Sequence, residues 1–281
     1  MSRFTIVVAK HDTEPNTACY DDFVHALGDT LCALGHEVAS LDQPGRLIMF
    51  NAVNMFDPAK ILPKDAILFN TEQVAAAAEP SNAMLAHAEH KHRVVWDYSE
   101  ANAEVLRNAL GMERVVLCPL GYFPSMTRIT PVVEEDIDVL FYGALSARRK
   151  WILKNLINAG LKVKYLYGSY GAERDQWIAR SKIVLNLHYG FEYGAAVFEI
   201  FRCSHLFANK KCVVTEDGGI DPVLEDLAKR AAVYRNRDRI VDTCCYLAHE
   251  TDVRRIAAEQ GFNEFSKIKF IDSVRQAVEA S

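Results

Sequence analysis

No apolar run in the 281-residue chain approaches the ~18 residues a helix needs to cross a bilayer. The opening segment MSRFTIVVAKHD holds only about six apolar residues before charge returns, short of the core of a secretion signal. There is no positive excess either. Lys and Arg number 32 against 37 Asp and Glu, a formal net charge of −5, which argues against a general nucleic-acid coat but not against a local basic patch. The seven cysteines include no CxxC pair, and most lie in apolar runs such as LCAL, VVLCPL and KKCVV. Free buried thiols are therefore expected, rather than disulfides or zinc. No GxGxxG follows the first apolar run, which argues against an NAD or FAD enzyme. HAEHKH (87–92) gathers three histidines with no acidic or thiol partner spaced to complete a metal site, so it reads as a solvated helix end. Solenoid repeats and low-complexity segments are absent. These absences together predict a cytoplasmic protein with no stable membrane span, no metal and no bound cofactor.

Half of the residues are apolar, enough for a core throughout. Continuous apolar runs alternate with helical patterns. FTIVVA (4–9) is followed by a helix whose Phe23, Leu27, Leu31 and Leu34 recur every three or four residues, ended by Gly35. HEVASL, RLIMF, AILFN and RVVWD are further strand-like runs, and SEANAEVLRNALG (99–111) is a helix with Ser99 as its N-cap. YFPSMTRITPVVEED (122–136), with two prolines and an acidic run, reads as a linker. Alternation then resumes through DIDVLFYG, RRKWILKNLINAG, KVKYLYG, ERDQWIARS and KIVLNLHYG. Such alternation predicts parallel sheets covered on both faces. The expected architecture is α/β: two Rossmann-like domains facing a cleft, over 1–121 and 137–260, with a C-terminal helix over 261–281.

Four constellations carry possible chemistry. In LFYGALSARRKWIL, a strand ends at Gly143 and a short loop delivers Arg148, Arg149 and Lys150 at a helix start. Cations there oppose the helix dipole, whereas a bound diphosphate would meet backbone N–H groups and cationic side chains together. A solvated basic patch is the plainer alternative. In AVFEIFRCSHLFANKKCVV (196–214), Glu199 and Arg202 sit within an otherwise apolar helical pattern, about 60° apart on the wheel. Buried charges must be paired or used. They read as an i,i+3 ion pair, or as a carboxylate for a ribose diol with Arg202 orienting it or reaching a phosphate. In TEDGGIDPVLE, Gly218 and Gly219 permit close approach of a ligand to backbone, or form an ordinary turn. The loop AKHDTEPNTACYDD (9–22) offers His11 as a candidate for the chemistry.

These stretches together resemble a GT-B glycosyltransferase of the retaining, nucleotide-sugar-dependent type, with a donor domain like that of group 1. LCALGHEVASL is similar to the helix-to-strand passage of the N-terminal domain in that superfamily, and DVLFYGALSARRK to the first donor-domain strand with its basic residues. SKIVLNLHYG, and FEIFRCSHLFANKKCVVTEDGGIDPVLE after it, are similar to the strand, Glu-bearing helix, Val-Val strand and Gly-Gly turn of a donor site. The likeness covers about 137 to 260 well and is looser before. It departs from the pattern in that Glu192 and Glu199 are seven residues apart instead of eight. Aligning the Val-Val strands puts His205 where the second glutamate would lie.

The resemblance implies metal-independent transfer of a sugar from a nucleoside-diphosphate sugar, the donor substrate. Arg149, Lys150 and Arg148 would stabilise the departing diphosphate, with Gly143 and Arg202 beside them. Glu199 would hold the ribose near Gly218 and Gly219. Glu192 and the backbone around Tyr189–Gly190 would face the sugar, with His188 a further donor-binding candidate, and domain closure would exclude water. The acceptor is left open among glycan, lipid, protein and modified nucleobase. Two alternatives are a non-catalytic nucleotide-sugar binder or sensor, and a glycosyltransferase acting on a modified DNA base through a basic groove of Lys91, Arg93 and Arg107.

Overall fold

The computed structural model describes residues 1–9, 15–51, 62–76, 91–132, 134–189 and 196–281. The chain divides into two compact units. The first comprises Met1–Ser125, Ile220–Val223 and Lys269–Ser281, and the second Met126–Gly219 and Leu224–Ile268. Each is built on a parallel sheet.

In the first unit the strands are β1 (Arg3–Val8), β2 (Glu37–Val38), β3 (Arg46–Phe50), β4 (Ile67–Phe69), β5 (Val94–Asp97) and β6 (Arg114–Leu117). They lie in the order β2-β1-β3-β4-β5-β6, each pair parallel. β4 and β5 are buried at every position, as expected of strands covered on both faces. Aromatic side chains from neighbouring strands meet across this sheet, with Phe50 stacked on Phe69 at 4.6 Å between ring centres and Trp96 edge-on to Phe69.

Helix α1 (Asp21–Ala33) buries Phe23, Ala26, Leu27, Thr30 and Leu31, the stripe its spacing predicts. Gly35 then turns the chain with φ 83°. Helix α2 (Glu100–Asn108) starts as its sequence indicates, the Ser99 side chain accepting from the N–H of Asn102. Ser99 Oγ also donates to Asp221 at 2.6 Å, and Asp221 accepts the N–H of Ala101 at 3.1 Å. Asp97, at the end of β5, is wholly buried and accepts from Asn70 Nδ2 at 2.6 Å and from the N–H of Ser99 at 2.8 Å. Burial pushes its carboxyl up to about 7 against those donors, with nearby Asp221 adding to the rise.

In the second unit the strands are β7 (Ile137–Tyr142), β8 (Val163–Leu166), β9 (Ser181–Asn186), β10 (Cys212–Glu216) and β11 (Val233–Arg235). Their order is β11-β10-β9-β7-β8, again all parallel. Helices α3 (Ala147–Asn158), α4 (Gly171–Ala179), α5 (Ile200–Ala208), α6 (Pro222–Ala231), α7 (Ile240–His249) and α8 (Thr251–Phe265) follow in chain order. One core joins Val139, Phe141, Ile152, Leu156, Ile183, Leu185 and Val214 to Ile240 and Leu247 of α7. Helix α9 (Phe270–Glu279) returns to the first unit, burying Phe270, Val274 and Ala277.

Two sequence expectations need correction. The helical pattern from Ala196 is not helical at its start. Ala196 pairs in parallel with Gly219, so the chain is extended there and α5 begins only at Ile200. Glu199 is thereby the N-cap residue, not a mid-helix residue. The cysteines are all free, and Cys118, Cys203, Cys212 and Cys244 are buried, but Cys19 and Cys32 are exposed. Cys32 falls outside the apolar stripe of α1 despite its LCAL surroundings. Among the described residues no helix is long and apolar enough to cross a membrane.

Candidate functional site

The carboxyl ends of parallel strands are where α/β sheets place ligands, because helix N-termini and backbone N–H groups open there. In the second unit the ends of β7, β9 and β10 carry most of the residues singled out from the sequence. β7 ends at Tyr142 and runs into Gly143, whose φ of 129° suits glycine. A Cβ at Gly143 would lie 3.0 Å from Nη2 of Arg202, so the glycine makes room for that guanidinium.

Ser146 then caps α3, accepting from the N–H of Arg149. The cap turns the first helical turn so that Arg149 points inward and is buried at 3% exposure, while Lys150 stays exposed. The guanidinium of Arg149 donates to the carbonyls of Ala144 (2.7 Å), His188 (3.2 Å) and Leu187. It lies 5.2 Å from the ring centres of both Phe141 and Tyr189. Burial, reinforced by neighbouring Arg202, pushes it down to about 10, with Glu199 and Glu216 opposing.

Arg148 reaches the end of β10 and forms a two-pronged pair with Glu216, at 2.5 and 2.6 Å, while donating to the carbonyl of His188 at 2.6 Å. Glu216 also accepts the N–H of His188. The His188 ring is buried and held below the ordinary imidazole range, chiefly by desolvation, with the Glu216 and Glu199 charges opposing. Arg202, in the first turn of α5, donates to Asn186 Oδ1 at 2.7 Å and lies over the rings of Phe141 and Tyr142 at 5.8 and 5.5 Å. Its Nε is buried with no hydrogen-bond partner among the described residues. Two guanidinium groups therefore face one Phe141 ring.

The Gly218–Gly219 turn follows β10. The N–H of Gly219 donates to Glu225 Oε2 at 3.1 Å, and that of Gly218 to the Tyr234 hydroxyl at 3.3 Å, which itself donates to Glu225. Burial, with the bond to Glu225, pushes the Tyr234 hydroxyl up to about 12.

The structure thus gathers Gly143, Arg148, Arg149, His188, Tyr189 and Arg202 through direct contacts. Glu199 enters this group through its charge on Arg149 and His188. Lys150 is on the same helical turn but faces outward. Gly218 and Gly219 sit just beyond Glu216. Glu192 and His11 lie outside the described residues, as do 87–90 of the histidine run. Among the described residues no three His, Cys, Asp or Glu side chains converge to hold a metal.

Sequence reading missed Asn186 and Glu225, and marked Glu216 only as following a strand end, with no role in the site. Asn186 and Glu216 are polar residues ending apolar strands, a recognisable signal whose partners are set by the sheet order, whereas Glu225 lies in the first turn of α6. His205, which falls where the resemblance would put a second glutamate, is buried and bonded to Asp175 Oδ1 at 2.9 Å. Asp175 is desolvated, yet His205 and Arg174 hold it below the usual carboxylate range.

No family model matches the chain. It is 30% identical over 182 residues to the uncharacterized protein L140 of Acanthamoeba polyphaga mimivirus, which covers 63% of this chain and 57% of L140. The chain thus spans little more than half the length of that relative. Among solved structures it is similar to a DNA-modifying beta-glucosyltransferase studied with and without uridine diphosphoglucose. The TM-score is 0.60 at 11% identity, over 99% of this chain and 98% of the other. It is also similar to WaaG, a glycosyltransferase involved in lipopolysaccharide biosynthesis, with TM-score 0.60 at 10% identity and the same coverage. At such identity the likeness concerns the fold. The two parallel α/β sheets match the fold of these glycosyltransferase structures.

Proposed function

We propose that this chain is a glycosyltransferase that takes a sugar from a nucleoside-diphosphate sugar without a metal and with retention. The observation that carries the reading is the arginine group at the ends of β7, β9 and β10. Arg149 and Arg202 both lie near the Phe141 ring and their like charges oppose each other, and an anion placed between the strand ends and α5 relieves that repulsion. The positive end of α5 adds to the attraction. A departing diphosphate is such an anion, and cations aligned before the reaction stabilise it as charge develops. In this reading Glu199 accepts hydrogen bonds from a ribose diol, the Gly218–Gly219 turn approaches the nucleoside, and Glu192 faces the sugar.

Incubation with UDP- and GDP-hexoses, with release of the diphosphate measured in EDTA, tests the proposal. Turnover unaffected by EDTA supports it. Binding without release points to a nucleotide-sugar sensor, and no binding of any donor overturns it. Beside the lipopolysaccharide glycan that the equal likeness to WaaG suggests, a modified base in DNA is one acceptor to test, after the DNA-modifying beta-glucosyltransferase. Transfer of radiolabelled sugar to hydroxymethylated DNA, compared with unmodified DNA, tests that acceptor.

A further inference from the structure

The three arginines at the strand ends differ in what their donors already hold. Arg149 gives Nε, Nη1 and Nη2 to three backbone carbonyls, of Ala144, Leu187 and His188. Two of these belong to the chain leaving β9, and the third to the loop leaving β7. Arg148 adds a second bond to the His188 carbonyl and closes on both oxygens of Glu216, at the end of β10. Three neighbouring strand ends are thus tied by two side chains from one helical turn. Arg202 is differently placed, with one nitrogen on Asn186 and its buried Nε without a hydrogen-bond partner among the described residues.

We infer that Arg149 is a positioning residue that fixes the exits of β7 and β9, and that Arg202 is the cation meeting the phosphate. The inference rests on the nucleoside-diphosphate reading above and divides its labour. A flat, forked guanidinium can satisfy three carbonyls in fixed directions; a lysine ammonium in the same place carries the charge but not the fork. A phosphate contact is instead sensitive first to charge.

The two roles separate through the preference for a diphosphate over its nucleoside. Binding of UDP and uridine, and of GDP and guanosine, is measured by calorimetry for the wild type and for Arg149→Lys, Arg149→Gln, Arg202→Lys and Arg202→Gln. Positioning predicts that Arg149→Lys fails to rescue. Both Arg149 variants lose thermal stability and bind more weakly, while the diphosphate-to-nucleoside ratio stays within about two-fold of wild type. For Arg202→Gln that ratio falls about ten-fold or more, with partial recovery in Arg202→Lys. A ratio that collapses in Arg149→Gln and returns in Arg149→Lys overturns the inference, as does an unchanged ratio in Arg202→Gln. Should the Arg149 variants not fold, the Arg202 pair still decides the phosphate contact. If the wild type binds neither diphosphate, the parent reading fails, and the inference with it.

Discussion

Replacing Glu216 by Gln removes one charge and keeps the shape. The carboxylate is 2% exposed and its partner Arg148 18%. It accepts both terminal nitrogens of Arg148, at 2.5 and 2.6 Å, and the N–H of His188. The amide of Gln keeps one acceptor but turns an N–H₂ toward a donor. A buried pair broken on one side costs roughly 3–5 kcal/mol, because the remaining charge stays desolvated. The partial exposure of Arg148 places this case at the lower end, about 3 kcal/mol. With a urea slope of roughly 2 kcal/mol/M, the unfolding midpoint should fall by about 1.5 M. Trp151 and Trp177 lie in the same unit as the pair, so their fluorescence in a Trp96→Phe background reports the right transition. The double variant Arg148→Met/Glu216→Met removes both charges. It should recover at least ~2 kcal/mol relative to the sum of the singles, since a hydrophobic pair of similar volume often replaces a buried ion pair at little cost. A midpoint shift below about 0.3 M for Glu216→Gln, or strict additivity in the double variant, would refute this account.

Three further outcomes are expected. The raised carboxyl of Asp97 stabilises the folded state below its unfolded value near 4, and that contribution is lost as pH rises through about 7. Between pH 5 and 8 the wild type should therefore lose on the order of 3 kcal/mol relative to Asp97→Asn, and a flat difference in urea unfolding would contradict it. Gly219→Ala places a Cβ 2.1 Å from the buried Glu225 carboxylate, so it should cost roughly 1–3 kcal/mol. Partial rescue by Glu225→Ala is the check, and an unchanged melting temperature in Gly219→Ala speaks against the contact. Donor turnover should persist in EDTA, and a complete loss restored by Mg²⁺ would contradict a metal-free diphosphate site.

Much of the sheet architecture was legible because its signals are local. Buried runs such as ILF and VVWD, the Phe23–Leu27–Leu31 stripe, the Ser99 cap and the glycines at 35 and 111 each act within a few residues. The start of α5 was not legible. Val197 and Phe198 continue an apolar pattern that suits a helix, and what stops it is the pairing of Ala196 with Gly219, a partner 23 residues away in sequence. The basic run marked the first turn of α3 but not the use of its donors. Sequence shows three adjacent cations; only the Ser146 cap and the sheet order decide that Arg149 turns inward to carbonyls, Arg148 to Glu216, and Lys150 to solvent. Asn186, and the partners of Glu216, were missed because strand ends are apolar neighbours in sequence and polar neighbours in space.

The first unit is assembled from three separate lengths of chain, the last beginning at Lys269. That last length is mostly α9, whose Phe270, Val274 and Ala277 are buried, and two residues beyond it Ser281 Oγ accepts the indole N–H of Trp96 at 2.8 Å. On a ribosome, a sheet whose strands are all made by residue 117 must wait for more than 150 further residues before its covering helix leaves the exit tunnel. The second unit, with nearly all its residues emerging in between, can close first. Synthesis order and completion order are then reversed, and the earliest-made surface is the one left longest for chaperones to shield.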